Sequence, residues 1–142
     1  MQNNHALGGE IIITERRWRF YIRDVATLVA RVMRTTGCTA DVVLTDDMTV
    51  QRLNRRDRGK NKPTNVLTYE QPPEILLAFG VVRLEAMAAQ KSMAAHLAHL
   101  LVHGALHLQG FDHQHVGQAQ RMEGFETKLL ARLGVANPWK NR

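Results

Sequence analysis

Three histidines, His103, His107 and His113, stand in the order His-x3-His-x2-Gly-x2-His. On a helix the first two are one turn apart, about 6 Å along the axis, so both imidazoles can face one ion. Gly110 permits the left-handed backbone that ends a helix, which would let His113 fold back toward the pair. Three neutral nitrogens without a fourth protein ligand describe an open zinc site of the catalytic kind, in which the metal lowers the pKa of a water to about 7. Zinc is the expected ion, with another transition metal such as nickel as the alternative. The spacing is that of the long metalloprotease motif, but the position of its general-base Glu is Gly104 here. The expectation is a zincin-like helix with chemistry other than peptide hydrolysis. Asp112 is expected to orient a ligand through a hydrogen bond. His99 makes an alternative pair with His103 but lacks an equally placed third ligand, so His96 and His99 are expected to pack or to support the ligands. His115 is a reserve ligand expected to be exposed.

A second constellation lies upstream. Arg52, Arg55, Arg56, Arg58, Lys60 and Lys62 fall within eleven residues and are opposed only by Asp57. Their spacing places the last three in a loop that also holds Gly59 and Pro63. Basic side chains on such a loop can follow a phosphate backbone, with Arg giving bidentate contacts. Arg55, Arg56, Lys60 and Lys62 are therefore candidates to bind a nucleic-acid backbone, against the plainer alternative of a solvated charged face.

The segment from His103 to His113 resembles the signature of the YbeY family. Leu53-Asn54 and the stretch from Arg58 to Tyr69 resemble that family's second block, and Met122, Glu123 and Glu126 resemble its closing helix. Residues 40 to 138 are covered. The resemblance implies a metal-dependent endoribonuclease specific for single-stranded RNA, in which metal-bound water attacks the phosphodiester. It implies a role in ribosomal RNA maturation, at the 16S 3′ end, and in ribosome quality control, with single-stranded RNA, ribosomal RNA or a ribosomal subunit as partner. Arg58 matches a family arginine and takes a catalytic role on that basis. Two departures stand out: Asn61 replaces the family's usual Asp, and Ala78-Phe79 stand where its Gly-Asp is expected at the start of a strand.

The elements that must position these residues follow from periodicity. Glu10 to Thr14, with three consecutive Ile, reads as a strand. Arg16 to Thr35 reads as one amphipathic helix with Trp18, Tyr21, Ile22, Val25, Leu28, Val29, Val32 and Met33 at helical spacing, closed by Thr36-Gly37. Thr39 to Thr45 is a strand, followed by a short helix around 48–56 capped by Thr45, Asp46 or Asp47. Asn65 to Tyr69 and Leu76 to Leu84 read as strands. Ser92 caps the histidine helix, with Met93, His96, Leu97, Leu100, Leu101, Ala105 and Leu108 on its buried side, and Gln118 to Leu133 forms a last helix with Met122, Phe125, Leu129, Leu130 and Leu133 in one stripe.

The predicted architecture is a single α+β domain over 1–142, with a small mixed sheet of about four strands packed with helices and the histidine helix beside the sheet edge. The 44% hydrophobic and 23% charged residues suit a globular chain, and no apolar run reaches membrane-spanning length. The N-terminus lacks the features of a secretory signal, and the single cysteine, Cys38, excludes an internal disulfide, so a cytoplasmic setting is expected. Nineteen basic against thirteen acidic residues give a charge of +6, compatible with a polyanionic partner. Oligomeric state is not legible. Two alternatives to the ribonuclease reading are a zinc hydrolase on a non-RNA substrate and a ribosome-associated factor that binds RNA without cutting it.

Overall fold

A computed structural model describes residues 8–110 and 116–135. The elements run β1 (Ile11–Ile13), α1 (Arg17–Tyr21), α2 (Val25–Thr36), β2 (Asp41–Thr45), α3 (Asp47–Arg58), β3 (Val66–Glu70), β4 (Pro73–Ala78), α4 (Phe79–Ala88), α5 (Met93–Leu108) and α6 (Val116–Arg132). The fold is α+β around one mixed four-stranded sheet of order β1-β2-β4-β3. β1, β2 and β4 are parallel, with Ile12 opposite Val43 and Val43 opposite Leu76. β3 is the antiparallel edge strand, with Thr68 opposite Ile75, and joins β4 through a turn containing a cis Gln71–Pro72 bond.

Strand side chains alternate between two faces. Val42, Leu44, Ile75 and Leu77 point into the main core with Val29 and Val32 of α2 and Leu97, Leu101 and Ala105 of α5. Leu67, Leu76 and Ala78 point the other way, against Val50 of α3. Helices therefore cover both faces, with α2, α5 and α6 on one and α3 on the other. α5 packs on α2, α4, α6, β3 and β4. It lies over the β3–β4 side of the sheet, which is why it is apolar around most of its circumference.

Three local readings are corrected. The stretch 16–35 is two helices, because Ile22 is extended and Asp24 takes a left-handed φ of 52°. The break leaves the apolar spacing intact while turning the Trp18 indole so that its Nε1–H donates to Thr45 O at 3.0 Å, with the ring edge-on to Phe79. Periodicity cannot distinguish one helix from two in register. The run 76–84 is strand only through Ala78 and helix from Phe79. The deciding interaction is remote: the Asp47 carboxylate accepts from the amides of Gly80 and Val81, at 2.8 and 3.1 Å, across 33 and 34 residues of sequence. A Cβ on Gly80 would stand 2.3 Å from that carboxylate, so the cap requires glycine there. Finally, Phe125 is 42% exposed and Glu126, at 1%, takes its place on the buried stripe.

Asp46 caps α3 by accepting from Thr49 N at 2.7 Å, and Ser92 caps α5 by accepting from Ala95 N at 3.0 Å. Gly37 and Gly134 close their helices with positive φ. Cys38 is half-buried against the core, just ahead of β2. Asp47→Ala, which removes the acceptor for two amides at the start of α4, is expected to lower unfolding free energy by about 1–2 kcal/mol, measured by urea denaturation.

Candidate metal centre

α5 carries His96, His99, His103 and His107 on one broad side. His96 is nearly enclosed, the His103 side chain is 32% exposed, and His107 is exposed at the C-terminal end of the helix. The helix stops where the sequence places its end: Gly110 has a φ of +100°, and its amide donates to His107 O at 3.1 Å. His113, Asp112 and His115 lie outside the described residues. Among the described residues no three His, Cys, Asp or Glu side chains form a group that could hold a metal ion.

Behind His103 stands a carboxylate that the sequence reading did not assign to the site. His103 Nδ1 lies 3.1 Å from Glu126 Oε1, and His99 Nε2 lies 3.2 Å from Glu126 Oε2. Burial alone would push the Glu126 carboxyl up, but the hydrogen bonds from His103 and His99 outweigh it and leave it below the ordinary carboxylate value. An anionic Glu126 favours the Nδ1–H tautomer of His103, in which Nε2 carries the lone pair that a metal would take. A carboxylate behind a ligand histidine is the usual support at zinc sites, so the donor chemistry present here fits a divalent ion with His103 and His107 as two ligands. The signal for Glu126 was in the sequence: a carboxylate recurring with Met122, Leu129, Leu130 and Leu133 on the apolar side of a helix.

His96 is held separately. Its Nε2 lies 2.8 Å from Glu85 Oε1, and Asn65 Nδ2 donates to the same oxygen at 3.0 Å. Burial pushes the His96 pKa down more than Glu85 raises it. His96 and His99 are therefore both engaged by carboxylates.

Gly104 faces the sheet. A Cβ there would lie 3.4 Å from Ile75 Cγ2 and from Thr68 Cγ2. The position used by the metalloprotease Glu is thus turned onto the core side of β3 and β4, where a carboxylate would be desolvated and unpaired. Thr68 also links this helix to the basic segment: its carbonyl accepts from Arg58 Nη2 at 2.6 Å. The Arg58 guanidinium lies over the Tyr69 ring, 5.1 Å from its centroid. Arg58 is the last residue of α3 and not part of the loop, which begins at Gly59 with a φ of 68°.

The other basic residues differ from one another. Arg56 is committed to Asp57 through Nε–Oδ1 and Nη2–Oδ2 contacts of 2.7 and 3.0 Å, and the Tyr69 hydroxyl donates to Asp57 Oδ2 at 2.6 Å. These bonds, from Arg56 first and Tyr69 second, draw the Asp57 pKa down to about 2. Arg55, Lys60 and Lys62 are exposed. Arg52 and Arg55 flank a shallow depression of about 210 Å³ that is also lined by Met48, Gln51 and Asn61.

The profile of the family described as Endoribonuclease YbeY matches residues 4–134. A protein of Gluconobacter oxydans named Endoribonuclease YbeY is 44% identical, across 97% of this chain and 90% of its own length. The chain belongs to the YbeY family. A relative of the same name from Nitrobacter winogradskyi is 36% identical, covering 92% of this chain and 80% of its own. The solution structure of TM1509 from Thermotoga maritima has the same fold, with a TM-score of 0.55 at 19% identity over 92% of this chain and 99% of that one. The match spans the histidine block, the Arg58 block and Glu126 together. The structure corrects where one expected strand begins. The strand expected to open with Gly-Asp begins at Pro73-Glu74, and Ala78-Phe79 lie at its end. An acidic residue does stand at the strand start.

Two outcomes follow from this geometry. Gly104→Glu is expected to cost about 3 kcal/mol or more of stability, while Gly104→Ala stays within about 1 kcal/mol, read by thermal or chemical denaturation. The Asp57 carboxyl, followed by ¹³C NMR, is expected to titrate at about 2. Because its folded pKa lies below the unfolded value, its pairing stabilises the protein above about pH 4 and is lost as pH falls toward 2; Asp57→Asn removes that dependence.

Proposed function

We propose that this YbeY-family protein is a metal-dependent endoribonuclease that hydrolyses phosphodiesters in single-stranded RNA. The observation that carries the reading is the convergence at Thr68. Its methyl group faces Gly104, in the helix turn between His103 and His107, where a Cβ would lie 3.4 Å from it, while its carbonyl holds the Arg58 guanidinium. A pair of metal-ligand histidines and a fixed arginine are thereby tied to one residue of the edge strand. The relatives' name, Endoribonuclease YbeY, supports the substrate class.

In this proposal His103 and His107 hold the ion, with His113 as the third ligand from the segment after Gly110. Zinc is the first choice and nickel the alternative. When bound, the ion supplies Lewis-acid character and lowers the pKa of water at the site. Glu126 keeps the His103 ring in one tautomer. Arg58 spends one N–H on Thr68 and rests on Tyr69, leaving the rest of its fork to meet a phosphate and the charge that develops on its oxygens. Arg55, Lys60 and Lys62 would line the approach of the RNA backbone, with Arg56 contributing less because Asp57 already engages it. Asp112 keeps the supporting role assigned from the sequence. Ribosomal RNA and the ribosomal subunit are the substrate context the family resemblance implies, in a cytoplasmic setting. No helix among the described residues is long and apolar enough to cross a membrane.

The test is metal content and cleavage of a single-stranded RNA for wild type and two variants purified identically. His107→Ala is expected to lose both metal and cleavage. Arg58→Ala is expected to keep its metal and lose about 10²–10³-fold in turnover. Cleavage by metal-free His107→Ala would overturn the metal-dependent reading, and metal uptake without any RNA cleavage in wild type would turn it toward another substrate.

A further inference from the structure

Glu126 is a costly residue for its position. It is 1% exposed on a helix face otherwise made of Met122, Leu130 and Leu133, where a leucine would satisfy packing. A buried carboxylate is tolerated only with polar partners around it, and here α5 sets two imidazoles against it on consecutive turns, His103 Nδ1 in hydrogen-bond contact with Oε1 and His99 Nε2 as an ion-pair contact with Oε2. The two histidines meet it through different nitrogens, Nδ1 of His103 and Nε2 of His99. That difference sorts their roles. Nε2 is the outer nitrogen of an imidazole; His99 has turned it inward to the carboxylate, whereas His103 has turned its inner nitrogen there.

We infer that Glu126, braced by His99, is a positioning residue that fixes the His103 ring for ligation through Nε2 and directs metal to the His103–His107 pair and away from His99–His103. This rests on the metal reading above. Glu126 touches neither substrate nor ion; it acts through His103. His99 acts one step further back, holding the second carboxylate oxygen so that the first stays aligned. The His99–His103 alternative left open by spacing is thereby disfavoured through Nε2, since His99 cannot give that nitrogen to both an ion and Glu126.

The experiment uses Glu126→Gln, which keeps shape but loses charge and sets an amide N–H against an imidazole N–H. Zinc affinity is measured by competition with a chromophoric chelator, and the ligand field by the visible spectrum of the cobalt(II) form, with the melting of the metal-free protein as the control for folding. The expected result is a 10–100-fold weaker zinc affinity and a changed cobalt spectrum with metal-free melting close to wild type. Wild-type affinity and an unchanged spectrum in Glu126→Gln would overturn the inference while leaving the metal site standing. Failure of wild type itself to take up zinc or cobalt would remove the metal reading and this inference with it. A second measurement needs no variant: ¹⁵N NMR of the histidine rings in the zinc-loaded protein should show His103 protonated at Nδ1 and His99 at Nε2. A His103 ring protonated at Nε2 would overturn the inference, even if Glu126→Gln did not fold.

Discussion

α5 is buried around most of its circumference, and that constraint shapes what surrounds it. A helix enclosed by a sheet on one side and by α2, α4 and α6 on others has little water to solvate polar side chains. Yet it carries four histidines. Each of the inner three finds a carboxylate from a neighbouring helix: His96 meets Glu85 of α4, and His99 and His103 share Glu126 of α6. His103 is partly open to solvent, and His107, at the end of the helix, is exposed. The helix packing and the polar pairing are therefore one arrangement, because moving α6 would strand either a carboxylate or two imidazoles.

The sheet supplies the other half. β3 lies at its edge, so one side of that strand is open to groups from outside the ladder. Arg58 uses this opening, reaching from the end of α3 on the far face to a β3 carbonyl on the rim. Tyr69 and Asp57 steady the same region, the tyrosine lying beneath the guanidinium and bonding the aspartate. A residue from one face of the sheet is thus brought to a strand whose next side-chain contact is the histidine helix on the other. Gly104 faces that contact, with room there for a methyl group and none for a solvated carboxylate.

Much of this was legible in the residues themselves. The histidine spacing, Gly110 as the stop, Ser92 as the cap and the α+β class are local or periodic properties, and each depends on neighbours no more than a few turns away. The family motif likewise resides in short blocks. The readings that failed share a different character. Whether 79–84 was strand or helix depended on Asp47, over thirty residues distant. Whether 16–35 was continuous depended on an extended Ile22 and a left-handed Asp24, which apolar spacing does not reveal. Phe125 and Glu126 are adjacent, and hydrophobicity alone chose the wrong one for the interior.

The sequence by itself determined which residues could ligate a metal, that two of them share a helix, and that a basic segment with Arg58 accompanies them, because those facts are set by residue type and helical repeat. Tertiary structure alone decided which nitrogen of His103 is engaged, that Glu126 engages it, that Arg56 is spent on Asp57, and that Arg58 meets the histidine helix through Thr68. Those outcomes are pairings between groups far apart in the chain, and a buried charge takes whichever partner the packing of whole elements brings within about 3 Å.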